Sequence, residues 1–154
     1  MKINLVKATV NDVELIHKIQ IEAFAELLNK YQDFDTSPAN EPIEKVLWRL
    51  EQDTTYFYLI EYKNKYVGAI RVVDQKNGTP KRISPLFILP EYQNKGIAQK
   101  AIIEAEKIHG NTNWELDTIL QEKGNCYLYE KMGYNTTGKT KQINDKMTLV
   151  FYKK

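Results

Sequence analysis

The sequence predicts an α/β protein of the α+β kind: one mixed, mostly antiparallel, twisted sheet of about six or seven strands with helices on both faces. Three observations carry this. Two β-rich runs, Thr55 to Tyr62 and Tyr66 to Asp74, are joined only by Lys63-Asn64-Lys65, and a second turn at Lys76-Asn77-Gly78 leads to a third run, so three antiparallel strands follow one another. The stretch from Arg82 to His109 reads strand, turn, helix, and the next strand at Trp114 to Ile119 is reached by a crossover that makes it parallel to the first. Two amphipathic stripes precede the first β-rich run.

In chain order, Lys2 to Val6 is a short edge strand. Thr9 and Asp12 form a capping pair for a helix whose buried stripe is Val13, Ile16, Ile19, Ala23, Phe24, Leu27 and Leu28, ending near Tyr31. Asp33 to Asn40 carries Ser, Pro and Asn and reads as loop. Glu41 and Pro42 suit the first turn of a second helix with the stripe Ile43, Val46, Leu47, Leu50. The central strand runs from Ile83 to Leu89 and is closed by Pro90; in the following helix, Ile97 to His109, the apolar positions Ile97, Ala101, Ile102, Ala105 and Ile108 recur at helical spacing. Asn125 to Met132 is a short helix stopped by Gly133, and Met147 to Tyr152, within the tail from Thr136, alternates as a closing strand.

Bulk properties exclude several classes. At 154 residues the chain fits one domain spanning 1–154, long enough to bury roughly 68–70% of its unfolded surface. The 22 basic and 20 acidic residues leave a net charge of +2, too balanced to point to nucleic acid or an anionic membrane. Cys126 is the sole cysteine, and no apolar leader or long apolar span is present, so a cytoplasmic protein without internal disulfides is expected. His17 and His109 have no Cys or His neighbours at ligand spacing, so no metal is assigned.

The chemistry gathers at Gln93-Asn94-Lys95-Gly96-Ile97-Ala98. A helix that opens on glycine and small residues presents unpaired backbone N–H groups and the positive end of its dipole, which together form an anion site. Gly96 admits close approach of a ligand to the backbone, and Lys95 adds a charge, so a phosphate or pyrophosphate is the expected guest. Neither G-x-x-x-x-G-K-[ST] nor G-x-G-x-x-G is present. Downstream lies Leu128-Tyr129-Glu130-Lys131-Met132-Gly133-Tyr134, with Asn125 four residues before Tyr129 on the same helix face.

Q-x-x-G-x-A after Leu-Pro-Glu-Tyr resembles the coenzyme A pyrophosphate loop of the GNAT superfamily of acyl-CoA-dependent N-acyltransferases, and the downstream segment resembles its L/F-Y-E-K-x-G-F/Y motif. The resemblance runs from about Thr9 to Tyr134 and is strongest after Arg82. It implies the GNAT fold with a splayed central strand pair, and acetyl-CoA as co-substrate. It also implies pantetheine contacts along Leu86, Phe87 and Ile88, cofactor contacts from Gln93, Asn94, Lys95, Gly96, Ile97, Ala98, Gln99 and Asn125, and Tyr129 as proton donor to the leaving sulfur. The two N-terminal helices and their loop would wall the acceptor pocket.

Departures from the family pattern are specific. The central strand holds no carboxylate or histidine, so the base that some members carry there is missing. Asp117 is the substitute by position, on the strand after the cofactor helix. It shares a face with Glu115, where like-charge repulsion would raise one proton affinity; a water relay and a plain exposed strand face are the alternatives. Glu122 stands where many members have asparagine. Cys126 reads as a small buried thiol rather than an acyl carrier. The expected function is direct transfer of an acetyl group from acetyl-CoA to a primary amine of a small molecule or peptide, with no nucleic acid or membrane partner and a homodimer compatible. A non-catalytic acyl-CoA sensor of the same fold stays open, and a nucleotide-binding regulatory domain ranks last.

Overall fold

A computed structural model describes residues 1–154. Its strands are β1 (Ile3–Lys7), β2 (Thr55–Tyr62), β3 (Lys65–Val73), β4 (Lys81–Ile88), β5 (Trp114–Ile119), β6 (Asn135–Gln142) and β7 (Thr148–Lys153). Its helices are α1 (Val13–Tyr31), α2 (Ile43–Leu50), α3 (Ile97–His109) and α4 (Lys123–Lys131). The seven strands form one sheet in the order β1-β2-β3-β4-β5-β7-β6, antiparallel throughout except for β4 and β5. No helix is long and apolar enough to cross a membrane.

Local chemistry explains most boundaries. Thr9 and Asp12 form a reciprocal capping box on a short 3-10 turn that feeds α1, and α1 ends where Gln32 turns left-handed at φ 54°. The β2–β3 hairpin closes on Lys63 and Asn64, at φ 50° and 63°, the paired positive values of a two-residue turn that matches strand twist. β3 therefore starts at Lys65, a residue earlier than the sequence suggests. α2 starts at Ile43 with Pro42 as its N-cap, so Glu41 and Pro42 lie outside the helix. α4 starts at Lys123, two residues before the expected Asn125.

Strand β6 is the element the sequence hides. Its residues, NTTGKTKQ, include no apolar side chain and all are exposed. It exists because β7 offers it a ladder, and the pairing breaks register between Thr136 and Thr140, around Gly138 at φ 89°. β7 then inserts between β5 and β6, so the closing strand is interior.

Each sheet face carries its own core. On one face Ile97, Ala101, Ile102 and Ala105 of α3 and Cys126 and Tyr129 of α4 pack on Ile70, Ile83, Ile88, Trp114, Leu116 and Tyr152. On the other, Ile16, Ile19 and Ala23 of α1 and Val46 of α2 cover Phe57, Leu59, Ala69 and Phe87. Full burial of each large aliphatic or aromatic side chain contributes roughly 1.5–3 kcal/mol. Gln20 sits unexpectedly among the second set at 0% exposure. Its amide donates to Pro38 O at 2.9 Å and Glu41 Oε1 at 2.8 Å, which pins the α1–α2 loop to the helix.

The middle of the sheet is irregular. A Cβ on Gly68 would stand 2.2 Å from Phe87 O, so β3 and β4 approach closely only because residue 68 is glycine. The β3–β4 register shifts between Ile70 and Val72, with Arg71 opposite Ser84 and Pro85. On the far side of β4, parallel pairing with β5 is confined to Lys81 with Trp114 and Arg82 with Glu115. From Ile83 onward β4 has no ladder partner on that side, and the sheet splays open.

Candidate active site

On one side of the opening lies the start of α3. Asn94 and Gly96 are left-handed at φ 60° and 84°, and residues Gln93 to Gly96 are exposed. Gly96 is the N-cap, no side chain caps the helix, and the first turn holds no acid. Lys100 is the first amide to bond back, to Gly96 O at 3.1 Å, leaving the N–H groups of Ile97, Ala98 and Gln99 free for an anion. A Cβ on Gly96 would meet only Met1 Cε at 3.7 Å, so the space directly before this backbone is uncrowded. Lys95 is exposed beside it. Gln93 folds back instead, donating from its amide to Ile88 O at 2.9 Å and capping the end of β4.

Leu86, Phe87 and Ile88 lie on the splayed half of β4. Phe87 is buried against the α1 side and Ile88 against the α3 side, which leaves their backbone as the available recognition surface. This suits an extended, amide-rich arm lying beside a strand edge.

Tyr129 projects from α4 into a cluster of three tyrosines. Its ring meets Tyr134 edge-on at 5.9 Å and Tyr152 at 6.3 Å. Tyr152 donates its hydroxyl to Glu130 at 2.7 Å and Tyr134 to Glu106 at 3.4 Å, whereas the Tyr129 hydroxyl has no partner. Gln20 Oε1 is the only fully enclosed side-chain polar atom lacking a partner, so the Tyr129 hydroxyl is not completely sealed although the residue is 9% exposed. Burial first, and the charge of Asp117 second, push its phenol well above the ordinary tyrosine range. The group stays protonated at neutral pH. Asn125 is half-buried one turn earlier, its N–H bonded to Glu122 O. Cys126 is buried with its thiol directed at Ile119 O and Leu120 O, both at 3.8 Å.

The α1 side of the opening is lined with charge. Glu115 and Asp117 share a face of β5, as the period of two requires, but they do not face each other bare. Arg82 on β4 donates to Glu115 at 3.1 Å and to Asp117 at 2.9 Å, so a cation answers the repulsion expected between them. Beyond them Glu122 accepts from the Tyr31 hydroxyl at 2.5 Å and from Lys30 at 2.7 Å. Burial works against the Glu122 carboxylate, yet the Lys30 and Tyr31 bonds outweigh it and hold its pKa below the usual value. Asn144 donates to Tyr31 O at 3.0 Å, tying the same helix end to the β6–β7 loop.

Arg82 and Tyr31 escape sequence reasoning, as does Arg71 on the neighbouring strand β3. Arg71 is the only charge in the run Val67 to Val73 and is 7% exposed, so a lone cation within an apolar strand was the available signal. Arg82 and Tyr31 gave no local signal, because their partners lie 33 or more residues away. His17 bonds to Glu41 O and His109 to the Tyr58 hydroxyl, each at 2.8 Å, and no group of His, Cys, Asp and Glu gathers at metal-binding spacing.

A family model described as an acetyltransferase (GNAT) domain matches residues 17–154. An acetyltransferase from Thermus thermophilus shares the fold with a TM-score of 0.73 at 15% identity, over 99% of this chain and 96% of that one. The PaiA N-acetyltransferase from Thermoplasma acidophilum, solved with coenzyme A, gives 0.68 at 17%, over 100% of each chain. The ribosomal-protein-S18-alanine N-acetyltransferase from Escherichia coli gives 0.74 at 11%, over 98% and 92%. No curated protein matches the chain.

Proposed function

The chain belongs to the GNAT acetyltransferase family, and from that premise we propose that it transfers an acetyl group from acetyl-CoA directly to a primary amine. The observation that carries the reading is the opening between β4 and β5 after Arg82, flanked by the uncapped first turn of α3. Acetyl-CoA would supply an acetyl group activated as a thioester. Free N–H groups of Ile97, Ala98 and Gln99, with Gln93, Asn94, Lys95 and Gly96 around them, suit its diphosphate, and the backbone of Leu86 to Ile88 suits its pantetheine arm. Asn125 lies on the Tyr129 face of α4 and would contact the same arm.

The chain's own groups then divide the chemistry. Backbone N–H on splayed β4 polarises the acyl carbonyl, Tyr129 gives its hydroxyl proton to the departing sulfur, and Asp117, directly or through water, takes a proton from the amine. Asp117 is joined to Arg82, which keeps a carboxylate at the mouth of the opening.

A calorimetric titration with acetyl-CoA, desulfo-CoA and ATP tests the cofactor half, and acceptor-dependent release of free coenzyme A tests transfer. The expected result is binding of both coenzyme A ligands but not ATP, followed by thiol release with an amine. Binding without release for any amine would favour an acyl-CoA sensor. No coenzyme A binding by folded protein would remove both readings.

A further inference from the structure

Three arginines stand on the α1 side of the sheet, and two are matched by acids. Arg49 holds Glu41 through bonds of 2.7 and 2.6 Å. Arg82 holds Glu115 and Asp117. Arg71, at 7% exposure, has no carboxylate. Its guanidinium donates only to neutral oxygens: Thr55 Oγ1 at 3.2 Å, Ser84 O at 2.7 Å and Gln52 Oε1 at 2.7 Å. A guanidinium has five N–H groups, and these bonds use three. Burial lowers its pKa to about 10, with the neighbouring Arg49 and Arg82 acting in the same direction and Glu41 against them, so the group is charged at neutral pH with no carboxylate bonded to it. Burying a cation among neutral partners alone is costly, and a bound anion would relieve that cost.

The complementary excess lies beside it. One guanidinium shared between two carboxylates leaves a net negative charge on Arg82, Glu115 and Asp117. Arg71 is anchored on Ser84 and the acidic group on Arg82, two residues apart along β4, or about 7 Å. The face therefore offers one unmatched positive and one unmatched negative charge at the splay. We propose that Arg71 is a specificity-determining residue that binds the carboxylate of the acceptor, while the acceptor's ammonium docks against Glu115 and Asp117 before it loses its proton. The acceptor is then an amino-acid-like zwitterion rather than a polyamine. A single unmatched cation suits a monoanionic carboxylate better than a dianionic phosphate. The inference rests on the acetyl-transfer reading.

The test uses the full chain, acetyl-CoA and matched probes: glycine with glycinamide, β-alanine with β-alaninamide, phenylalanine with phenylalaninamide, and lysine with cadaverine. In at least one pair the acid is expected to exceed its partner in kcat/KM by about 10- to 100-fold, the range of a charge-assisted bond. Arg71→Gln should bring that ratio towards one by raising KM, and Arg71→Lys should recover part of it. Preference for amides or cadaverine, an unchanged ratio in Arg71→Gln, or coenzyme A binding with no acid bound or acetylated would overturn the proposal. Any of these would leave Arg71 as a prop for the irregular β3–β4 pairing. Should Arg71→Gln not fold, the wild-type ratio decides alone. Failure of the acetyl-transfer reading shows separately, as absent coenzyme A binding or as no coenzyme A release with any probe, the amides and cadaverine included.

Discussion

Tyr129 keeps its proton at neutral pH, because burial raises its pKa, and its hydroxyl is not already committed to a neighbour, which leaves that proton available to a departing thiolate that is a stronger base than the neutral solvent. Tyr129→Phe keeps the ring that packs on Tyr134 and Tyr152, so the loss should fall on chemistry. Turnover is expected to drop on the order of 10²-fold or more while acetyl-CoA affinity changes little. Steady-state kinetics beside a binding titration separate the two, and unchanged turnover would take Tyr129 out of the mechanism. Sequence alone singled out Tyr129 through the motif around it. It could not reveal that Tyr134 and Tyr152 spend their hydroxyls on Glu106 and Glu130, because those pairings come from tertiary packing. Asp117 shows the same limit. Its place on β5 was legible, but Arg82, which sets its electrostatic surroundings, is adjacent only once β4 and β5 pair.

The decisive element is the β4–α3 unit, and here local chemistry and tertiary structure agree. α3 and β5 run as the sequence indicates, Ile97–His109 and Trp114–Ile119, because apolar periodicity and the Gly96 and Gly110 borders point the same way. β6 went unread because nothing in its polar sequence distinguishes strand from loop; its ladder comes from β7. The N-terminal turn of α3 gives an element-scale prediction. Gly96→Glu places a side chain on a residue at φ 84° and a negative charge where free N–H groups await an anion. The surrounding space is open, so the fold should survive with a modest loss of stability, about 1–2 kcal/mol from the backbone strain. Coenzyme A binding should be lost in calorimetry while the circular dichroism spectrum is kept. Retained binding would mean that the diphosphate is held elsewhere.

At the scale of the whole molecule, the two faces of the sheet are locked to it by polar contacts at the helix ends. On the α1 face, the C-terminus of α1 is tied to Glu122 and to the β6–β7 loop through Lys30, Tyr31 and Asn144. On the α3 face, the C-terminus of α3 is tied to β2 by His109, which bonds to the Tyr58 hydroxyl at 2.8 Å and leans on the Tyr56 ring at 4.9 Å. The second tie is sensitive to pH. Burial is the main cause of a lowered His109 pKa; the nearby Asp74 opposes the shift, while Lys81, Lys7 and Lys76 reinforce it. In the unfolded chain the imidazole takes a proton near its ordinary pKa of about 6.5, whereas the folded protein resists until lower pH. Between those points the unfolded state binds more protons, so stability falls as the pH falls. The contribution of His109 is thus fully present above about pH 6.5 and is lost as acid titrates the folded imidazole. His109→Gln keeps a hydrogen-bonding side chain opposite Tyr58 but does not titrate. Denaturant unfolding from pH 7.5 down to 5 should show a decline below about pH 6.5 in the wild type that is flattened in the variant. Equal slopes in the two proteins would assign the acid sensitivity to other groups and leave His109 as a packing contact only.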